Sequence, residues 1–198
     1  MQILKAEIKE QIENAALEVF FEKGFEKASM QNIAARAQVS TSNIYNYFQS
    51  KEELFDAVVE PVYRQINRLL QGFMARETGH SFQDSGFSAN FSRNVAIGIA
   101  GLIRQNRWQL LLICDQSLGT SYESCKEELI RFLEDHFREG YQVQTPDNGG
   151  VLIMHIAATN FVEGLLEITR HYQSDAWLEK AVADFVRYQI GGLVQFFA

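Results

Sequence analysis

The chain has 198 residues, 46% of them hydrophobic, and carries a net charge of −7. A chain of this length buries about 70% of its unfolded surface and needs no disulfide or metal staple. Its two cysteines, Cys114 and Cys125, lack C-x-x-C spacing and matching histidines, which argues against a zinc or redox centre; no metal and no cofactor is expected.

Polar residues follow Met1–Leu4 at once, and no apolar run approaches the roughly 20 residues of a membrane helix. The expectation is a soluble cytoplasmic protein without a leader. The acidic total speaks against nucleic acid, but its distribution does not. Residues 1–51 hold six cations and six acids, so residues 52–198 carry the whole excess. From Lys27 to Lys51 there is no Asp or Glu at all, as a phosphate-facing surface requires.

In chain order, Ile8, Ile12, Ala15, Ala16, Val19 and Phe20 mark one face of a helix. Gly24 is placed to end it, with Phe25 folding back as its apolar partner. Ser29 is an N-cap for a short helix carrying Ile33, Ala34 and Ala37. Val39 and Ser40 form a turn, and a second short helix follows with Ile44, Tyr45 and Phe48. Ser50-x-x-Glu53 has the pattern of a capping box and opens a longer helix through Leu54, Phe55, Val58 and Val59. That helix continues past Pro61, where a kink or a break is expected. Thr78 to Ala89 is a polar, Gly- and Ser-rich loop, and helical patterns resume at 90–105, 107–118, 121–140, 149–171 and 175–197. The fold class is all-α, with about nine helices.

The unit at 29–48 has the pattern of a helix-turn-helix. Ala34 and Val39 are small or apolar where the two helices cross, and Ile44 and Phe48 anchor the second helix from its inner face. Thr41, Ser42, Asn43 and Asn46 are left to face outward, where such a helix enters a major groove about 12 Å wide. Asn pairs bidentately with adenine, and a Thr methyl packs on a thymine methyl.

The continuous run from Ile33 to Phe55, IAARAQVSTSNIYNYFQSKEELF, resembles the signature of the TetR family of regulators, and Ala15–Phe25 resembles that family's first helix. The resemblance covers about residues 8–55; the rest agrees in length and helicity only. Gln38 stands where a turn glycine is frequent, so the turn asks it for a left-handed backbone. Ser42 likewise replaces a frequent glycine.

The resemblance implies a DNA-binding domain at 1–50 and a helical effector-binding and dimerisation domain at 51–198. It implies phosphate contacts from Ser29, Tyr47 and Lys51, and base-edge contacts from or beside Gln31, Thr41, Ser42, Asn43 and Asn46. Tyr45 serves either purpose or packs between helices; Lys51 is alternatively a solvated charge, and Asn43 only the third residue of a capped helix.

Residues 151–168 are apolar almost all round, and the last helix sets Trp177, Val182, Phe185, Tyr188, Leu193 and Phe196 at helical spacing. The resemblance implies a homodimer through these two helices, with Ala157, Phe161, Leu165, Phe185, Tyr188 and Phe196 as candidates; a core-only role is the alternative. A twofold dimer reads a palindrome with half-sites about 34–36 Å apart or at multiples of that.

An effector pocket is implied between residues 55 and 170. Its candidate residues are Trp108, Asp115, His155 and Asn160, polar or aromatic groups in or near apolar runs, and the ligand expected is small and largely apolar. A histidine in such a helix is alternatively a hydrogen-bonded core residue. Gly98 and Gly101 allow either close packing or room for a ligand. The expected protein is a repressor released from double-stranded operator DNA by that ligand; a regulator without a ligand, or an activator, is the second reading. An enzyme is the third, against which stands the absence of G-x-S-x-G, H-E-x-x-H, phosphate-loop and dinucleotide patterns.

Overall fold

The computed structural model describes residues 2–77, 85–140 and 148–197. It contains eight helices and, among the described residues, no strand: α1 (Gln2–Lys27), α2 (Met30–Arg36), α3 (Thr41–Ile44), α4 (Lys51–Glu77), α5 (Ser85–Asp115), α6 (Cys125–Gly140), α7 (Asn148–Arg170) and α8 (Asp175–Phe197). The all-α expectation holds.

The difference from nine helices lies in α5. The segments expected at 90–105 and 107–118 run together, joined at Asn106, whose backbone is non-helical (φ −137°, ψ 29°). Asn106 is buried, and its Nδ2 donates to the Leu102 carbonyl at 3.1 Å, which satisfies the interrupted turn from the side chain. α5 also begins at Ser85, so residues 85–89 are helix and not loop; residues 78–84 lie outside the described set. α4 carries Pro61 inside it without a break, with the proline itself exposed.

The chain divides into two compact units. The first runs to Gln65 and takes in Trp108–Cys125; the second is Ile66–Arg107 and the chain from Lys126 onward. The segment 1–50 therefore lies within the first unit, which also includes the start of α4 and the end of α5.

Within the first unit, Gly24 turns α1 with φ 73° and ψ 165°, a conformation open to glycine, and Phe25 is thereby buried. The Phe25 ring meets Phe20 and Phe55 at centroid distances of 5.9 and 5.1 Å, and Phe20 meets Phe55 at 5.1 Å. Ile12, Ala16, Ile33, Ile44 and Leu54 complete a core with no exposure. Tyr122 packs on Phe55 and Tyr63 from the other side, and partial burial, with Asp56 and Glu60 nearby, pushes its phenol up to about 12.

The second unit centres on Phe137, Met154, Ala158 and Leu193. Gly98 is there for close packing: a Cβ would lie 2.7 Å from Leu69 Cδ1 on α4. Gly101 faces open space. α7 and α8 pack through a glycine that the sequence pattern does not single out. A Cβ on Gly164 would lie 2.2 Å from Phe185 Cζ, and that ring also packs on Phe161 at 5.8 Å.

Gly150–Arg170, in α7, is long and apolar enough by length and composition to cross a membrane, against the expectation that no segment reaches that length. The expectation counted unbroken apolar runs. His155, Asn160 and Glu163 interrupt this one, and Glu163 pairs with Lys126 at 3.0 Å.

Gly164→Ala is expected to lower stability by about 1–2 kcal/mol in urea denaturation, overpacking at Phe185 exceeding the gain in helix propensity. Unchanged or higher stability would show that the ring turns aside freely.

Candidate nucleic-acid interface

Each of the two short helices begins on a serine. Ser29 Oγ accepts from the Asn32 N–H at 3.2 Å, and Ser40 Oγ accepts from the Asn43 N–H at 3.2 Å. Between them the turn closes through Ala37 N–H to Ile33 O at 2.8 Å and Val39 N–H to Ala34 O at 3.0 Å. Gln11 Nε2 on α1 donates to the Ala37 carbonyl at 2.6 Å and fixes the end of α2. Gln38 has φ 54°, as the missing turn glycine implied, and is the one non-glycine residue with positive φ among the described residues.

α3 has four residues, and tight turns continue it: the Tyr47 and Phe48 N–H groups donate to Ile44 O at 2.9 and 3.0 Å. Ile44 and Phe48 are buried, as their role as anchors requires. Ser42, Tyr45 and Asn46 are exposed, Tyr45 by 52%, while Thr41, Asn43 and Tyr47 are half-buried. Asn46 Nδ2 donates to Asn43 Oδ1 at 3.4 Å, which couples the two amides. Gln31 is exposed near the start of α2, and Ser29 is half-buried. Eight of the nine expected contact residues thus keep access to solvent with no inward ionic commitment.

Lys51 differs from these eight in meeting carbonyls of its own chain. Its Nζ donates to the Phe25 carbonyl at 2.8 Å and the Ala28 carbonyl at 3.1 Å, with Glu26 O at 3.5 Å, and lies 4.2 Å from the Phe25 ring centroid. The ammonium meets these carbonyls at the end of α1, where a helix leaves its last C=O groups without intrahelical partners.

Arg36 is likewise committed. Its guanidinium reaches back to α1, to Glu18 at 2.7 Å and Glu22 at 2.8 Å. The hydrogen bond from Arg36 holds the Glu22 carboxyl below the usual range, and the two carboxylates, Glu22 first, push the guanidinium higher still. A pair of glutamates four apart on α1 was the only sequence signal of this fork, and nothing local names its partner. At the start of α4, Ser50 Oγ accepts from the Glu53 N–H at 3.1 Å, and Glu53 Oε2 accepts from the Gln49 N–H at 2.6 Å. Glu52 is held low by its own backbone N–H and by Ser50.

The expected effector residues are divided between the two units. Trp108 and Asp115 belong to the first unit, His155 and Asn160 to the second. Trp108 meets the Phe21 ring edge-on at 4.4 Å and is 43% exposed. His155 is exposed, with Nδ1 3.0 Å from Glu134 Oε2; it is hydrogen-bonded as the alternative held, but at the surface and not in a core. Among the interface candidates, Phe161 is buried against Phe137 and Phe185, and Ala157 packs on the Met154 cluster, so both serve the core. Leu165 and Phe185 are half-buried, whereas Tyr188 and Phe196 are exposed. Leu152 and Ile156, which the sequence pattern did not distinguish, are exposed on α7.

Residues 12–58 match the family described as bacterial regulatory proteins, tetR family. The chain is 40% identical over 62 residues to the HTH-type transcriptional regulator LuxR of Vibrio harveyi, covering 31% of this chain and 30% of that protein. It is 29% identical over 121 residues to the uncharacterized HTH-type transcriptional regulator YvdT of Bacillus subtilis (strain 168), 61% of this chain and 58% of that one. The matches thus span under three-fifths of either relative's length. Solved structures share the fold over more of the chain. A TetR-like transcriptional regulator from Rhodococcus sp. RHA1 superposes with a TM-score of 0.62 at 18% identity, over 93% of this chain and 96% of that one. FadR from Bacillus subtilis, in complex with stearoyl-CoA, gives 0.53 at 16% over 92% and 97%. AibR, in complex with isovaleryl coenzyme A and operator DNA, gives 0.53 at 17% over 89% and 96%. Residues 12–58 thus resemble the helix-turn-helix segment of that family, and the fold of the chain is shared with these solved structures.

Gln38→Gly is expected to raise stability by about 1 kcal/mol, since glycine adopts φ 54° without the cost an L side chain meets there. Lys51→Met is expected to lower stability by about 2 kcal/mol, the order of a charge-assisted hydrogen bond lost from partly buried carbonyls. Chemical denaturation measures both, and a neutral Lys51→Met would remove the clamp from the account.

Proposed function

We propose that this chain is a sequence-specific DNA-binding transcription regulator that acts as a homodimer on a palindromic operator. In this reading it is a repressor released by a small, largely apolar ligand. The observation that carries the reading is α3. Its inner residues Ile44 and Phe48 are buried while hydroxyl and amide side chains occupy its outer side, and the segment from Lys27 to Lys51 is free of acids. Such a surface approaches phosphates without repulsion and offers donors and acceptors to base edges.

Support for a dimer comes from the second unit. Leu152 and Ile156 on α7, and Tyr188 and Phe196 on α8, are large apolar or aromatic groups exposed by 42–73%. Such groups seek cover, and a second copy supplies it symmetrically. This set replaces Ala157 and Phe161, which the core already occupies.

Support for an effector is of two kinds. A cleft of about 630 Å³ in the second unit runs between α5 and α8, lined by Ala96, Ile97, Ala100, Gly101 and Val194 together with Arg93, Arg104, Arg187 and Glu179. Its volume suits a small ligand. Thr159 Oγ1 on α7 is buried and, among the described residues, has no hydrogen-bond partner, an unpaired polar atom that a ligand entering there would satisfy. Two proteins of this fold hold acyl-coenzyme A compounds, and such thioesters belong in the first panel of candidates.

Selection of bound duplexes from a random pool tests the reading, and a palindromic consensus is expected; no enrichment at low salt, with the purified chain folded, would overturn it. Ile156→Glu combined with Tyr188→Glu is expected to yield a folded monomer in sedimentation that binds the selected duplex at least tenfold more weakly. A double variant that stays dimeric would move the interface elsewhere.

A further inference from the structure

We propose that the cleft between α5 and α8 takes an amphipathic anion, an aliphatic chain ending in a carboxylate or a phosphate, with its charged end between Arg93 and Arg187. The proposal rests on the effector reading above and specifies the charge of the ligand, which that reading leaves open. The cleft is formed by one face of each helix. On α5 the lining runs from Arg93 through Ala96, Ile97, Ala100 and Gly101 to Arg104, at helical spacings of three, one and three residues. On α8 Glu179, Ala183, Arg187 and Gly191 recur every fourth residue.

The two helices run antiparallel along the cleft. Arg104 Nη1 meets Glu179 Oε1 at 3.0 Å, and from that pair the lining continues toward the start of α5 and toward the end of α8. At a rise of about 1.5 Å per residue, Arg93 lies about 16 Å along α5 from Arg104, and Arg187 about 12 Å along α8 from Glu179. The two arginines therefore come from opposite walls to nearly the same level, away from the Arg104–Glu179 pair.

Charge is distributed unevenly over this length. At one end the Arg104 guanidinium and the Glu179 carboxylate offset each other. Toward the other, Arg93 and Arg187 bring two positive charges. Asp184 does not cancel them, because its carboxylate is shared between Arg187 at 2.8 Å and Lys180, and these three groups keep a net positive charge. Between the ends the walls are small and apolar. Ile97 is 65% exposed, and a Cβ on Gly101 or Gly191 would meet no atom within 4 Å, so a methylene chain has room there. A guanidinium fork matches the oxygens of a carboxylate or a phosphate and has no such match with an alcohol or a cation.

Isothermal titration calorimetry of the full chain with decanoate, decyl phosphate, decanol and decyltrimethylammonium, all below micelle formation, is the test. One of the two anions is expected to bind about tenfold or more tightly than decanol, with the cation weakest, and the tighter anion identifies the head group. Arg93→Gln combined with Arg187→Gln is expected to weaken that anion about tenfold or more while decanol is unchanged. Both arginines are exposed, so the fold does not depend on them. Gly101→Leu, which fills the open space, is expected to weaken every probe that binds. Decanol or the cation binding as tightly as both anions, no binding of either anion, or an anion affinity that the double arginine variant leaves intact would overturn the proposal. So would a Gly101→Leu chain that sediments as a monomer where the unaltered chain is a dimer, since a second copy then fills the cleft. Decanol or the cation releasing the selected duplex where the anions do not would keep the effector reading and overturn the anion. An anion that binds through the arginines and leaves the duplex bound would keep the site and overturn release.

Discussion

Thr41–Ile44 is too short to hold helical shape in water, where nucleation costs more than one turn returns. Its geometry depends on Ile44 and Phe48, both buried in the first unit, and on the Ser40 cap, whose Oγ accepts from the Asn43 N–H. The outward direction of Ser42, Tyr45 and Asn46 follows from that burial. Whatever loosens the Phe20, Phe25 and Phe55 cluster removes the platform on which α3 stands.

The same platform explains where charge is used. α1 ends at Lys27, and Lys51, the first residue of α4, meets the Phe25 and Ala28 carbonyls at that end. Arg36 ties the last turn of α2 to α1. Two cations that look free along the sequence are thus held within the scaffold, and the exposed side chains around α3 are polar and uncharged.

Periodicity and caps made the head legible. Apolar spacing in 8–20, the Gly24 stop, the Ser29 cap and the Ser50–Glu53 pair all appear where local rules place them, because each depends on residues within four or five positions. Gln38 was legible by contrast with glycine. What local rules do not hold is tertiary partnership. Lys51 finds its acceptors 23 to 26 residues away, and Arg36 finds Glu18 eighteen residues away. Phe185 lies over Gly164, and Trp108 and His155 fall into different units, by folding alone. Phe161 and Phe196 have similar sequence surroundings, yet one is core and the other surface. The break at Asn106 fell where the pattern put it, but as a kink within a continuous helix.

The central claim is that α3 reads sequence through its outer amides on a platform they do not support. The most direct measurement is duplex selection repeated with Asn43→Ala and with Asn46→Ala, beside the unaltered chain. Preference is expected to relax at one or two symmetric positions of the half-sites while the spacing between them stays fixed, since the buried anchors are untouched. A consensus unchanged by both substitutions, or one lost at every position together, would contradict the assignment of α3 as the reading helix.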